Sequence, residues 1–226
     1  MKYEIIQSGS DGNATMINGS ILIDCGVAFK KIEPFERNLQ LVLLTHQHGD
    51  HFKPGTVSRL AKDRPTLRWG CCDWMVPFLL QCGVRSDRID IYAINGMDYY
   101  YGEALDDLSV RPEWLEHNVP NCGYHIHIGG EWLFYATDTG TLDGIEANGY
   151  DVYLVEANHT EAELAARAEA KLSAGEFAYE TAAAQNHLSY EQTVEWLQKN
   201  MGPHSIWVPM HQHKERERTE DAEPTD

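Results

Sequence analysis

The sequence predicts an α/β (α+β) fold in which two stacked β-sheets lie between layers of helix, and three observations lead there. Short apolar or alternating runs fill the first part of the chain, the same kind of run returns in the middle, and two capped helix starts precede a last buried strand. A chain of 226 residues can bury one substantial core, or a pair of similar half-domains packed face to face. One domain over residues 1–213 is therefore expected.

Taken in order, Tyr3–Gln7, Ala14–Ile17, Ser20–Asp24 and Leu39–Thr45 read as strands separated by Gly, Ser and Asn punctuation. Gly55–Lys62 and Asp73–Gln81 have helical spacing, and strand-like runs return at Leu108–Leu115, Tyr124–Ile128, Glu131–Ala136 and Asp151–Glu156. Thr160-Glu161-Ala162-Glu163 is a capping box, in which an N-cap hydroxyl and an acid three residues on satisfy each other's backbone donors; it opens a helix expected to run to about Ala184. Ser189-Tyr190-Glu191-Gln192 opens a second helix, which stops at Gly202-Pro203 before the strand Ser205–Met210. From Lys214 to Asp226 the chain is charged, without apolar periodicity, and a disordered tail is expected.

Composition narrows the functional classes. The net charge of −17 argues against a polyanionic partner, but its distribution softens the objection. Residues 1–90 carry eleven Lys and Arg against ten Asp and Glu, whereas residues 91–226 carry seven against twenty-five. An anionic substrate could meet the first half, where Lys30, Lys31, Arg37, Lys53, Arg59, Lys62, Arg64 and Arg68 offer a candidate strand-binding surface. The five cysteines are odd in number and lack a C-x-x-C spacing, which reads as buried, reduced thiols. No apolar run of about twenty residues exists and no signal architecture opens the chain, so a cytoplasmic protein without a membrane span is expected.

The chemistry concentrates in Thr45-His46-Gln47-His48-Gly49-Asp50-His51, directly after the apolar run Leu41-Val42-Leu43-Leu44. Residues two apart in extended chain point the same way, so His46 and His48 can grip one cation as the strand ends. Gly49 then lets the backbone turn and aims Asp50 and His51 at a neighbouring point. Imidazole with carboxylate suits zinc, or manganese and iron where oxygen donors dominate.

This motif, His46-x-His48-x-Asp50-His51, resembles the signature of the metallo-β-lactamase superfamily. Ser8-Gly9-Ser10-Asp11-Gly12-Asn13-Ala14 and Ile21-Leu22-Ile23-Asp24-Cys25-Gly26 look like its opening strands, and the branch most resembled is the YycJ/WalJ-like proteins related to RNase Z. The resemblance runs from Met1 to about His211. It implies the metallo-β-lactamase fold, an αββα sandwich of two stacked mixed sheets, and a two-metal centre that activates water. It also implies further ligands: His117 as the third histidine of the first metal site, and Asp138 as the carboxylate bridging both ions. His211, or alternatively His213, would be the last ligand. Metal one would then be held by His46, His48, His117 and Asp138, and metal two by Asp50, His51, Asp138 and His211.

Asn186-His187-Leu188-Ser189 resembles an element whose histidine protonates the leaving group, here with Asn186 in place of the usual Gly. His187 precedes a capped helix whose N-terminal amides favour an anion. His159, in Glu156-Ala157-Asn158-His159, is a possible supporting residue. His125 and His127 alternate on one strand and read as exposed strand histidines, and His204 has no identifiable partner.

Together these readings point to a di-metal hydrolase with Asp50 and His187 as its catalytic groups. The favoured substrate is a nucleic acid, attacked as by an exonuclease, or a nucleotide, cyclic nucleotides included. The alternatives are a small-metabolite ester, thioester, lactone or β-lactam hydrolase, and a non-enzymatic metal-stabilised binding module. No protein partner is evident, and the oligomeric state is not legible.

Overall fold

In the computed structural model, which describes residues 1–173 and 185–212, each part of the chain builds one six-stranded sheet. The first contains β1 (Tyr3–Gln7), β2 (Ala14–Ile17), β3 (Ile21–Ile23), β4 (Leu41–Leu44), β5 (Arg68–Cys72) and β6 (Ile89–Tyr92), lying side by side in that order. β1 to β3 form an antiparallel meander, and β3 to β6 run parallel. The second contains β7 (Tyr99–Gly102), β8 (Leu108–Leu115), β9 (Asn121–Ile128), β10 (Glu131–Ala136), β11 (Val152–Glu156) and β12 (Ile206–Met210), again in sequential order. Here β7 to β10 are antiparallel, while β10, β11 and β12 run parallel. Both sheets are therefore mixed.

The period-two alternation of strand side chains makes three apolar layers out of two sheets. Leu41 and Leu43 of β4 face the second sheet, where they join Val110, Ile126, Leu133 and Leu154 in the central core. Val42 and Leu44 face outward and pack with Val57 and Leu60 of α2 (Pro54–Asp63) and Leu79 of α3 (Val76–Gln81). On the far side Phe134, Tyr153 and Val155 pack against Trp196 and Leu197 of α5 (Tyr190–Asn200). With both faces covered, β4 is buried at every position, which is why it reads as a continuous apolar run. Burying each such aliphatic side chain contributes about 1.5–3 kcal/mol.

Helix starts follow local chemistry. α2 has Pro at its first position, where the missing N–H is no loss. At α5, Ser189 Oγ accepts from Gln192 N while Gln192 Oε1 accepts from Ser189 N, the expected capping box. Thr160 and Glu163 exchange the same pair of bonds at the start of α4 (Glu161–Ser173).

Several expectations shift. Asp73–Gln81 is a 3-10 turn over Asp73–Met75 followed by the short α3, and Phe29–Ile32 forms an unanticipated helical turn, α1. β5, β6 and β7 are strands that periodicity does not reveal: they are short, and β5 carries Gly70, whose missing side chain leaves room for the Tyr92 phenol. The later part of the first capped helix, His213 and the charged tail lie outside the described residues. No helix among the described residues is long and apolar enough to cross a membrane.

Candidate metal centre

Chain direction gathers the functional side chains at one sheet edge. His46 follows the end of β4, Asp24 the end of the parallel β3, and Asp138 and His211 the ends of the parallel β10 and β12. β8, antiparallel to β9 and hence parallel to β10, delivers His117 to the same edge. Three of these turns use left-handed backbone at residues other than glycine: Asp24 at φ 61°, Asp138 at φ 59° and His211 at φ 49°. Asp and His are among the side chains that tolerate this region, and the strain, on the order of 1–3 kcal/mol each, marks turns held by their surroundings. Gly26 is required by packing, because a Cβ there would collide with the Asp50 carbonyl.

Among the described residues the predicted ligands meet in two groups, each with its donor atoms within 4.8 Å of one another. The first is His46, His48 and His117: His48 Nδ1 lies 3.2 Å from His46 Nε2 and 3.3 Å from His117 Nε2. The second is Asp50, His51, Asp138 and His211. His51 Nε2 lies 2.8 Å from Asp138 Oδ2, and His211 Nε2 lies 3.3 Å from Asp50 Oδ2 and 3.5 Å from Asp138 Oδ1. Asp138, expected to serve both ions, falls within the second group and outside the first.

Two carboxylates that sequence reasoning leaves without a role anchor these rings. Asp24, fully buried, receives His51 Nδ1 at 2.6 Å and also accepts from Thr45 N and Oγ1. Glu156, also fully buried, ends β11. Its Oε1 lies 2.6 Å from His187 Nδ1 and 3.5 Å from His211 Nδ1, while Oε2 accepts from the backbone N–H of Asp138 and Thr139. Glu156, His187 and His211 form a third metal-capable group that shares His211 with the second. The signal for both acids is a carboxylate closing a fully buried apolar strand, where it must find a partner or pay heavily for its charge. Asn13, in the opening motif, ties the loop down by accepting from Gly9 N and donating to the Asp50 carbonyl.

The electrostatics follow. Burial pushes His46 well below the usual histidine range, and His51 adds to the effect. For His51 itself burial opposes charge, but the Asp138 and Asp24 carboxylates outweigh it and hold the ring well above that range. Burial would raise Asp138; the charges of His51 and His211 instead hold it well below the usual carboxylate range. His187 is raised, because the bond to Glu156 and its charge outweigh desolvation.

These residues fit divalent metal. Two buried polar atoms in the groups, His117 Nδ1 and Asp138 Oδ2, make no hydrogen bond, the latter despite its 2.8 Å approach to His51 Nε2. Three imidazole nitrogens converging on one point, with Asp24 and Thr45 engaging the far nitrogens of His51 and His46, are arranged as ligands rather than as hydrogen-bond partners of each other.

Of the other histidines, His159 is buried and outside the three groups; its carbonyl accepts from Tyr190 N at the start of α5. The expectation of exposed histidines on β9 is corrected: His125 is buried between Glu113 and Tyr150, and His127 is half-buried with its ring tilted against Trp132. Four of the eight suggested basic residues are engaged locally. Arg68 is paired with Asp90, Arg59 with Asp63, Arg64 with the carbonyls of Glu36 and Leu39, and Lys31 with Gln7.

A profile of the beta-lactamase superfamily domain matches residues 20–212, a span that takes in both ligand groups. The chain belongs to the beta-lactamase superfamily. Within it, the chain is 22% identical over 178 residues to exodeoxyribonuclease YycJ of Bacillus anthracis, covering 70% of this chain and 63% of that protein. It is 26% identical over 174 residues to exodeoxyribonuclease WalJ of Streptococcus pneumoniae, covering 70% and 62%. The chain thus spans about three fifths of the length of these curated relatives. The solved structure of the metallo-beta-lactamase fold protein YhfI from Bacillus subtilis superposes at a TM-score of 0.69 with 14% identity, covering 93% of this chain and 85% of that one, a likeness of fold. The resemblance to YycJ/WalJ-like proteins and the αββα fold expected from it are both borne out.

Proposed function

We propose that the chain is a di-metal-dependent phosphodiesterase that acts on nucleic acid, in the manner of an exonuclease, or on nucleotides including cyclic nucleotides. The observation that carries this reading is the 2.6 Å contact between His187 Nδ1 and Glu156 Oε1 at the border of the second ligand group. A water-activating centre alone serves any hydrolase, whereas a histidine held by a buried carboxylate supplies a proton to a poor leaving group. With Nδ1 taken by Glu156, Nε2 is the nitrogen left to donate. The N-terminus of α5, three residues on from His187, adds backbone amides and a dipole that favour a phosphate. The curated relatives named as exodeoxyribonucleases support the same substrate class.

In this reading His46, His48 and His117 would hold one ion, and Asp50, His51, Asp138 and His211 would hold the other, with Asp138 the carboxylate that the family resemblance assigns to both. When bound, the pair supplies Lewis acidity and lets water ionise near neutral pH. Asp50, the most exposed carboxylate of the group, orients the attacking water and takes up its proton. Glu156 positions His187 and His211 without touching substrate. Zinc is the first choice of ion, with manganese or iron as alternatives.

The test is a metal-reconstituted activity panel covering single-stranded DNA, RNA, cyclic nucleotides and a thioester. Metal-dependent cleavage of one of the phosphodiesters is expected. Turnover of the thioester alone would move the chain to small-metabolite hydrolysis, and no turnover with bound metal would make it a binding module.

A further inference from the structure

Outside the ligand groups, the same sheet edge carries a pair of indoles that the chemistry does not use. Trp74 stands in the turn after β5 and Trp114 is the next-to-last residue of β8, so each sheet contributes one. Their rings meet edge to face with centroids 5.8 Å apart at 88°. Trp74 Nε1 donates to the carbonyl of Thr45, the residue before His46, which fixes that indole one residue from the first ligand. Trp114 lies three residues before His117 and stays 44% exposed despite the contact. A large aromatic left open to solvent at the end of an otherwise inward-facing row, Leu108 and Val110 of the central core, forgoes burial that the fold could have given it.

We propose that Trp114, braced by Trp74, is a stacking platform for a nucleobase next to the scissile linkage. This rests on the phosphodiesterase reading and names how that site holds its substrate. Charge supports it: the net charge is −17, and Arg59, Arg64 and Arg68 of the basic surface are already engaged by the protein itself. With these arginines taken up, stacking on the bases adds a grip that phosphate contacts alone would supply less of, and it is an interaction that accepts every base.

The experiment compares a short single-stranded oligonucleotide with one that is abasic at the scissile position, using wild type, Trp114→Ala and Trp114→Phe holoenzymes. Wild type should prefer the base-bearing strand through KM. Trp114→Ala should lower that preference by roughly ten- to one-hundred-fold, and Trp114→Phe should restore most of it. An unchanged preference in Trp114→Ala overturns the platform. If wild type cleaves neither strand, the phosphodiesterase reading fails separately, and titration with dAMP against deoxyribose 5-phosphate still decides. Tighter binding of dAMP that is lost in Trp114→Ala upholds stacking, and equal binding overturns it.

Discussion

His51 Nδ1 lies 2.6 Å from Asp24 Oδ2, and both side chains are fully buried. The carboxylate fixes the proton on the far side of the ring and turns Nε2 toward Asp138. Asp24→Asn keeps the shape but removes the charge, and metal affinity should fall about 10- to 100-fold, the usual effect of losing such a partner. Competition with a chelator measures it; an unchanged titration would show that Thr45 Oγ1, 3.5 Å from His51 Nδ1, and Asn13 Nδ2, 2.8 Å from its Nε2, suffice to hold the ring.

Purified protein should carry close to two transition-metal ions per chain, and His46→Ala or His48→Ala should lower both occupancy and thermal stability. Each removes a directional donor from a group of three and leaves the other two imidazoles with their donor atoms within 4.8 Å of one another. Elemental analysis after reconstitution with zinc, manganese or iron is the check. A third ion would place His187 among the ligands, since Glu156, His187 and His211 are within reach of one another.

Asp50→Ala should abolish turnover while sparing the ion at His46, His48 and His117. Asp138→Ala should cost more metal, because Asp138 is buried between His51 and His211, 2.8 Å and 3.5 Å away, and its removal takes a carboxylate from both at once. Equal metal loss in the two variants would remove the distinction between a reacting carboxylate and a structural one.

What could be read without coordinates depended on how local each feature is. Leu108–Leu115 and Glu131–Ala136 are recovered to the residue, the first because it alternates and the second because it is a bounded apolar and aromatic run. Arg68–Cys72 and Ile89–Tyr92 escape notice because parallel pairing, of β5 with β4 and of β6 with β5, supplies the order that their own few residues lack. In the site, His46 to His51 stand out by crowding alone. Asp24 and Glu156 do not, because the partner that explains each one is 27 or 31 residues away and visible only once the sheets pack.

His187→Ala should retain both ions yet slow hydrolysis of a natural nucleotide linkage by about 10²–10⁴-fold, the span of general acid catalysis. A p-nitrophenyl phosphodiester, whose leaving group departs unprotonated, should be affected less. Glu156→Gln should reproduce that pattern in weaker form. Equal losses on both substrates would make His187 a residue that positions the loop.

All five cysteines are free, and four are buried. Desolvation pushes Cys71 up to about 12 and raises Cys25 and Cys122 as well, so their thiolates are scarce. A thiol reagent at pH 8 should therefore modify Cys82 quickly and the others only on unfolding. Rapid loss of a second thiol would reveal an opening of the sandwich that the packing does not suggest.

The division of the site between two sheets also has an order in time. As the chain leaves the ribosome, His46, His48, Asp50 and His51 emerge with the first sheet, long before Asp138, and His211 comes only after the last strand. An ion arriving early meets four side chains on one loop, with nothing opposite them. The second group is complete only when β12 docks beside β11 and brings His211 against Asp50 and Asp138. On the proposed di-metal reading, closure of the fold is what completes the second ligand group, which a nascent chain does not yet present.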